Sequence, residues 1–163
     1  MRCPHCNEEL TDISYCFGAK APYHYLVLNE EDQKESELND DLCVIESRDY
    51  FIRGHLGIPI IGSDEVFIWS VWSSISKENF ETTIELWNSD QRSQEPGYFG
   101  WFSSMLPIYP ETINLKCMIQ TREVGNCPLI ILEESDHPLS LEQRNGITIE
   151  RVVEINHLLM HEA

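Results

Sequence analysis

Two hydrophobic periods alternate along this chain. Leu42-Cys43-Val44-Ile45 and Tyr50-Phe51-Ile52-Arg53-Gly54-His55-Leu56 are runs of β-forming residues separated at Arg48-Asp49 by a hairpin-length gap, which predicts two short strands. Gly57, Pro59, Gly62, Ser63 and Asp64 interrupt the pattern before Glu65-Val66-Phe67-Ile68-Trp69-Ser70-Val71-Trp72, the strongest strand signal. That run is apolar on both faces at its centre, so it is expected in the middle of a sheet with a helix on one face. Ile113, Leu115, Cys117 and Ile119 alternate with polar or flexible residues up to Gln120, the period of a half-buried strand. Gly125-Asn126 then turns the chain into a further strand at residues 128–133, completing a hairpin.

The helical period takes over elsewhere. Ser76 is placed to cap a helix over residues 77–88, with Phe80, Ile84 and Trp87 on one side. Residues 139–145 form one short helical piece ended by Gly146, and Thr148 caps a last helix to about residue 161 with Ile149, Val152, Val153, Asn156, Leu159 and Met160 on one side. Residues 22–28 fit a short strand or a helix equally well. The expectation is a single α+β domain over residues 1–163. A mainly antiparallel sheet with peripheral helices forms its core from residue 21, after an N-terminal Cys-x-x-Cys knuckle within residues 1–20.

Composition narrows the functional classes. The chain has 163 residues, long enough for one real core, and 28 Asp+Glu against 11 Lys+Arg give a formal charge of -17. Such a charge repels nucleic-acid phosphates and anionic lipids, and no apolar run approaches the roughly 20 residues that span a bilayer. Glu30, Glu31, Asp32, Glu35, Glu37, Asp40 and Asp41 concentrate seven acids within twelve residues that hold one lysine. The run reads as a solvated loop or polar helix, or more sharply as a docking site for a basic protein partner. The first nine residues have no apolar segment and turn acidic at once, so no secretory signal is expected and a cytoplasmic location follows.

Candidate chemistry begins at Cys3-Pro4-His5-Cys6. A redox pair needs a preceding strand and a following helix, which this position lacks. As half of a tetrahedral zinc site the pair would need two further ligands, and Cys16, His24 and Cys43 are the early residues of suitable chemistry; Cys3, Cys6, Cys16 and His24 are the candidate set for one structural zinc. The alternative is a pair of unmetallated thiols. Asp136-His137 with Glu142 is a weak acid/base pattern beside a turn at Pro138, where Asp136 more simply accepts backbone hydrogen bonds. Cys43 with His55, and His157 with His161, are weaker still, since strand cysteines are usually buried and inert and a terminal histidine pair is usually solvated. Tyr98, Phe99, Trp101, Phe102 and Tyr109 lie among glycines and prolines, either as a partner surface, with Tyr98, Phe99, Trp101 and Phe102 foremost, or as a plug over the sheet. Arg53, flanked by apolar residues, is expected to pair with Asp64 or Glu65.

The order of motifs adds a resemblance. An N-terminal Cys-x-x-Cys, Asp41-Leu42-Cys43-Val44-Ile45, Tyr50-Phe51-Ile52-Arg53-Gly54, Trp69 to Trp72 with Ser74 and Asn79-Phe80, Tyr98-Phe99-Gly100-Trp101, Leu106-Pro107, Leu115-Lys116, and Asp136-His137-Pro138-Leu139 with Glu142-Gln143 and Gly146-Ile147 together resemble the bacterial domain-of-unknown-function 2199 family. The family pattern continues its cysteine pair with a glycine and a histidine, where this chain has Asn7 and no histidine until His24. No activity is implied by the resemblance, so no functional residue follows from it. The expected function is therefore a non-enzymatic, acidic cytoplasmic binding protein, in its most concrete form an inhibitor or immunity protein against a basic partner. The alternatives are a zinc-binding protein or small metal-dependent enzyme using the cysteine pair, and a small-molecule binder using the aromatic segment.

Overall fold

The longest ladder of the sheet joins β4 (Asp49–Pro59) to β5 (Val66–Ile75), antiparallel from Tyr50 opposite Ile75 to Pro59 opposite Val66. The computed structural model describes residues 13–161. Along the other edge of β4, β3 (Leu42–Ile45) pairs antiparallel with its first residues, and β8 (Leu129–Leu132) meets it in parallel at His55 opposite Leu129. The sheet continues through β7 (Lys116–Gln120) to β6 (Tyr98–Trp101), while β1 (Cys16–Gly18) lies parallel to β5 and β2 (Glu37–Leu38) antiparallel to β3. Among the described residues eight strands, mainly antiparallel, thus form one mixed sheet, and β5 lies in its interior between β1 and β4 as its apolar run requires.

The sheet curls until its two sides touch. Just past β6, Phe102 bridges to Ser73, and the Ser103 N–H donates to Trp72 O at 2.8 Å. The concave face carries the main core: Leu56 and Ile58 of β4, Phe67, Trp69 and Val71 of β5, Ile119 of β7 and Ile130 of β8 are all buried there. Close curvature demands small residues, and a Cβ on Gly54 would stand 2.6 Å from Ile130 Cγ1. Among the described residues five α-helices are peripheral: α1 (Tyr23–Leu26), α2 (Glu30–Lys34), α3 (Lys77–Glu85), α4 (Pro138–Asn145) and α5 (Ile149–His161). Phe80 of α3, Leu139 of α4 and Val152 and Ile155 of α5 join the main core. A smaller cluster of Cys43, Ile45, Phe51 and Trp72 sits on the convex face, with Ala19, Tyr25 and Leu28 packed over it.

Local chemistry explains the helix boundaries. Ser76 accepts from the Asn79 N–H (3.1 Å) and Thr148 from the Arg151 N–H (3.1 Å), so both caps expected from the pattern form. At α4 the cap is His137 rather than Asp136: its Nδ1 accepts from the Leu139 N–H at 3.1 Å, and Pro138 occupies the first turn, where no N–H partner is needed. Gly146 ends α4 at φ 82, a backbone conformation that a side chain disfavours. Arg151 of α5 donates to Glu142 of α4 (2.9 Å), whose other oxygen accepts from Tyr109 (2.5 Å), locking both helices to the loop after β6.

Several expectations change. The strand expected over residues 113–120 begins only at Lys116, because Asn114 adopts φ 68 and its N–H is taken by Phe102 O. Of the two readings left open for residues 22–28, the helical one forms, as a single turn at Tyr23–Leu26. Gly57 does not end β4, which runs to Pro59, where a missing N–H is tolerated at a strand terminus. Ile84, expected on the buried side of α3, is exposed, and Phe80 and Thr83 are the buried pair. The knuckle expected around Cys3 and Cys6 lies outside the described residues.

Candidate functional site

Residues 98–101 form a strand in which burial alternates, so the aromatic segment serves two faces at once. Tyr98 and Phe102 point into the core and are buried, which removes both from the expected partner surface; the reason is the period-two geometry of β6. The Tyr98 hydroxyl donates to Glu95, and burial together with that carboxylate raises its pKa. Phe99 and Trp101 point outward, 51% and 41% exposed, in edge-to-face contact at 5.0 Å. Phe99 stands opposite Met118 (43%), and Met118 opposite Ile131 (45%). One cross-strand apolar row therefore crosses β6, β7 and β8 on the convex face, around a hollow of about 220 Å³ flanked by Lys116 and Glu133.

The acidic run is neither a plain loop nor one helix. It forms α2 and the short edge strand β2, with Asn29 capping α2 by accepting from the Asp32 N–H (2.8 Å). Glu30, Glu31 and Asp32 occupy its first turn, where unpaired N–H groups favour negative charge. Glu30, Glu31, Glu35, Glu37 and Asp40 are exposed, while Asp32 and Asp41 are half-buried. Leu26, Val27 and Leu38 stand exposed beside the run, which gives the acids apolar neighbours.

Asp41 turns inward because Arg53 is there. Arg53 donates from Nη2 to Asp41 Oδ1 (3.1 Å), from Nε to Asp40 O (2.6 Å) and from Nη1 to Ser70 Oγ (2.9 Å); the partner expected at Asp64 or Glu65 is thus Asp41. Those two acids follow the turn at the far end of β4, whereas Asp41 precedes β3 alongside Arg53. Arg53 Nη1 also lies 3.5 Å from His55 Nε2. A guanidinium has no acceptor, so this contact requires Nε2 unprotonated. Burial, then the positive charges of Arg53 and Arg122, lower the His55 pKa.

Beside this group lies a cavity of about 240 Å³ lined by Asp41, Arg53, Trp87, Arg92, Gly125, Asn126, Cys127 and Pro128. Arg92 is 5% exposed and is held by three backbone carbonyls: Arg122 O at 2.8 Å, Trp87 O at 2.8 Å and Asn126 O at 3.1 Å. Its guanidinium packs 5.2 Å from the centre of the Trp87 ring. Arg122 donates from Nε to Cys127 O at 2.5 Å. Nothing in the sequence pattern marked this pocket, because Arg53, Arg92, Arg122 and Asp41 come from four separate segments.

The remaining candidates are drawn into structure. Cys3 and Cys6 lie outside the described residues. Cys16 is exposed on β1, and His24 of α1 stacks on Phe51 with 5.3 Å between ring centres, its Nδ1 buried without a hydrogen bond among the described residues. No group of three His, Cys, Asp or Glu side chains among the described residues is placed to hold a metal ion. Cys43 is buried in the convex-face cluster, and burial pushes its thiol up to about 12. His137 is occupied as a helix cap and by Pro110 O and Glu111 O, and Glu142 by Tyr109 and Arg151, so the Asp136-His137-Glu142 pattern is a helix junction. His157, expected in solvent, is buried on α5. No helix among the described residues is long and apolar enough to cross a membrane.

No curated protein and no solved structure matches the chain. The family described as an uncharacterized protein conserved in bacteria (DUF2199) matches residues 2–147, nearly the whole chain including the strands that carry the apolar row and the arginine pocket, and the protein belongs to that family.

Proposed function

We propose that this protein is a non-enzymatic binding protein that docks on a basic protein partner, as an inhibitor or immunity protein would. The observation that carries this reading is the exposed row of Phe99, Met118 and Ile131 with Trp101 beside it. Exposed, contiguous aromatic and methionine side chains on a rigid sheet are the composition of interface cores. A partner of opposite charge follows from the formal charge of -17, which would steer encounter and reject acidic competitors.

Wild-type protein should retain a basic protein from a bacterial lysate, and the Phe99→Ala/Trp101→Ala double variant should lose it, with affinity down by about thirtyfold or more. Neutralising Glu30, Glu31, Asp32, Glu35 and Glu37 to their amides should slow association and flatten its salt dependence. Equal retention by all three proteins would sink the proposal.

A structural zinc is a second reading, supported by the buried Nδ1 of His24, which has no hydrogen-bond partner among the described residues. The ligands would be Cys3 and Cys6 with His24 and Cys16. Elemental analysis of purified protein decides it: about one equivalent of zinc that falls in His24→Ala supports the site.

A further inference from the structure

We propose that the cavity between Arg53, Arg92 and Cys127 is a binding site for a small phosphoryl-bearing anion. The protein has 11 Lys+Arg against 28 Asp+Glu, yet among the described residues two arginines and a single carboxylate, Asp41, line this cavity. A third arginine, Arg122, is tied to the lining residue Cys127 through its carbonyl. On a surface this acidic, such a concentration of cations is opposite to the average field.

Arg92 makes the strongest case. A buried guanidinium is costly unless its charge is compensated, and here three carbonyls orient it while no carboxylate among the described residues pairs with it. The carbonyls fix the plane of the fork and leave the charge unneutralised, as an anion site requires. Arg53 is also held in place, by Asp40 O, Ser70 and Asp41, so little side-chain entropy is lost on binding. His55 lies beside the same cations: burial first, and then the positive charges of Arg53 and Arg122, lower its pKa. A cavity of about 240 Å³ accommodates a phosphoryl group and a small organic remainder, not a polymer. Trp87, over whose ring Arg92 packs, adds an aromatic residue to the lining for that remainder.

The test is a titration of the full-length protein with inorganic phosphate at constant ionic strength, read from the amide signals of Gly125, Asn126 and Cys127 by NMR, with chloride as control. Saturable shifts specific to phosphate are expected. Arg122→Gln, which removes a positive charge behind the lining residue Cys127 while leaving the lining side chains in place, should weaken phosphate binding severalfold. Asp41→Asn, which removes the only lining carboxylate among the described residues, should tighten it severalfold. That opposite sign separates an electrostatic site from general loosening of the fold, which would weaken both variants. Shifts no larger than those from chloride, or weakening by Asp41→Asn, would overturn the proposal. Neither outcome touches the convex-face row, whose test uses Phe99 and Trp101.

Discussion

Burial decides what the cysteines and histidines of this chain can do. Cys43 and Cys117 are both buried, with pKa values pushed up to about 12 and about 11 from the ordinary 9.0. For Cys117 the Ser73 hydroxyl partly offsets the effect of burial. Neither thiol is a nucleophile near neutral pH. Peptide mapping after brief iodoacetamide treatment of folded protein at pH 8 should find Cys43 and Cys117 unmodified and the exposed Cys16 alkylated. Because the folded values lie above the unfolded one, both contribute stability that is complete below pH 9 and is lost as pH rises toward about 11 and 12. His55 has the opposite sign on the acid side. Its pKa is depressed below 6.5, so the unfolded chain takes up the proton first and stability falls as pH drops through that value. Urea unfolding at pH 7 and pH 5 should show a smaller loss in His55→Gln than in the wild type. An equal or larger loss in the variant would assign the acid sensitivity to other groups.

At the scale of elements, the hairpin of β7 and β8 and the caps at Ser76 and Thr148 were legible in the sequence, because alternation and capping are local properties. β6 was not. The five aromatics of residues 98–109 suggested an irregular loop, and only pairing with β7 turns alternate residues of β6 inward and outward. Sheet closure requires small residues at Gly54, where Ile130 and the Pro128 carbonyl occupy the place of a Cβ, and at Gly100, where Ser73 and the Ser74 carbonyl do. Gly54→Ala should destabilise the protein by about 1–3 kcal/mol, the usual cost of overpacking, measurable by denaturant unfolding. His137 is a second element-scale case. A histidine cap has no sequence signature of its own, yet here it satisfies the Leu139 N–H and ties α4 to the carbonyls of Pro110 and Glu111. His137→Ala should cost about 1 kcal/mol or somewhat more, the range for losing a cap, without the loss of binding expected of Phe99→Ala/Trp101→Ala.

For the molecule as a whole, the charge of -17 sets a self-repulsion that salt relieves. Raising NaCl from about 10 mM to about 150 mM shortens the screening length several-fold, so Tm should rise in a thermal melt. A fall would mean that surface pairs such as Arg144 with Glu134 outweigh the repulsion. The acidity is unevenly placed: the exposed acids of α2 and β2 face solvent, while Asp41, the last acid of the run, turns in to Arg53. By itself the sequence determined the class of fold, the central place of β5, the caps at Ser76 and Thr148 and the excess of negative charge, since each follows from periodicity, capping or composition. The tertiary structure alone decided which aromatics are exposed and that Arg53, Arg92 and Arg122 gather round one cavity. Those outcomes depend on strand pairing and sheet curvature, which bring together residues far apart in the chain and leave no mark in any local stretch of it.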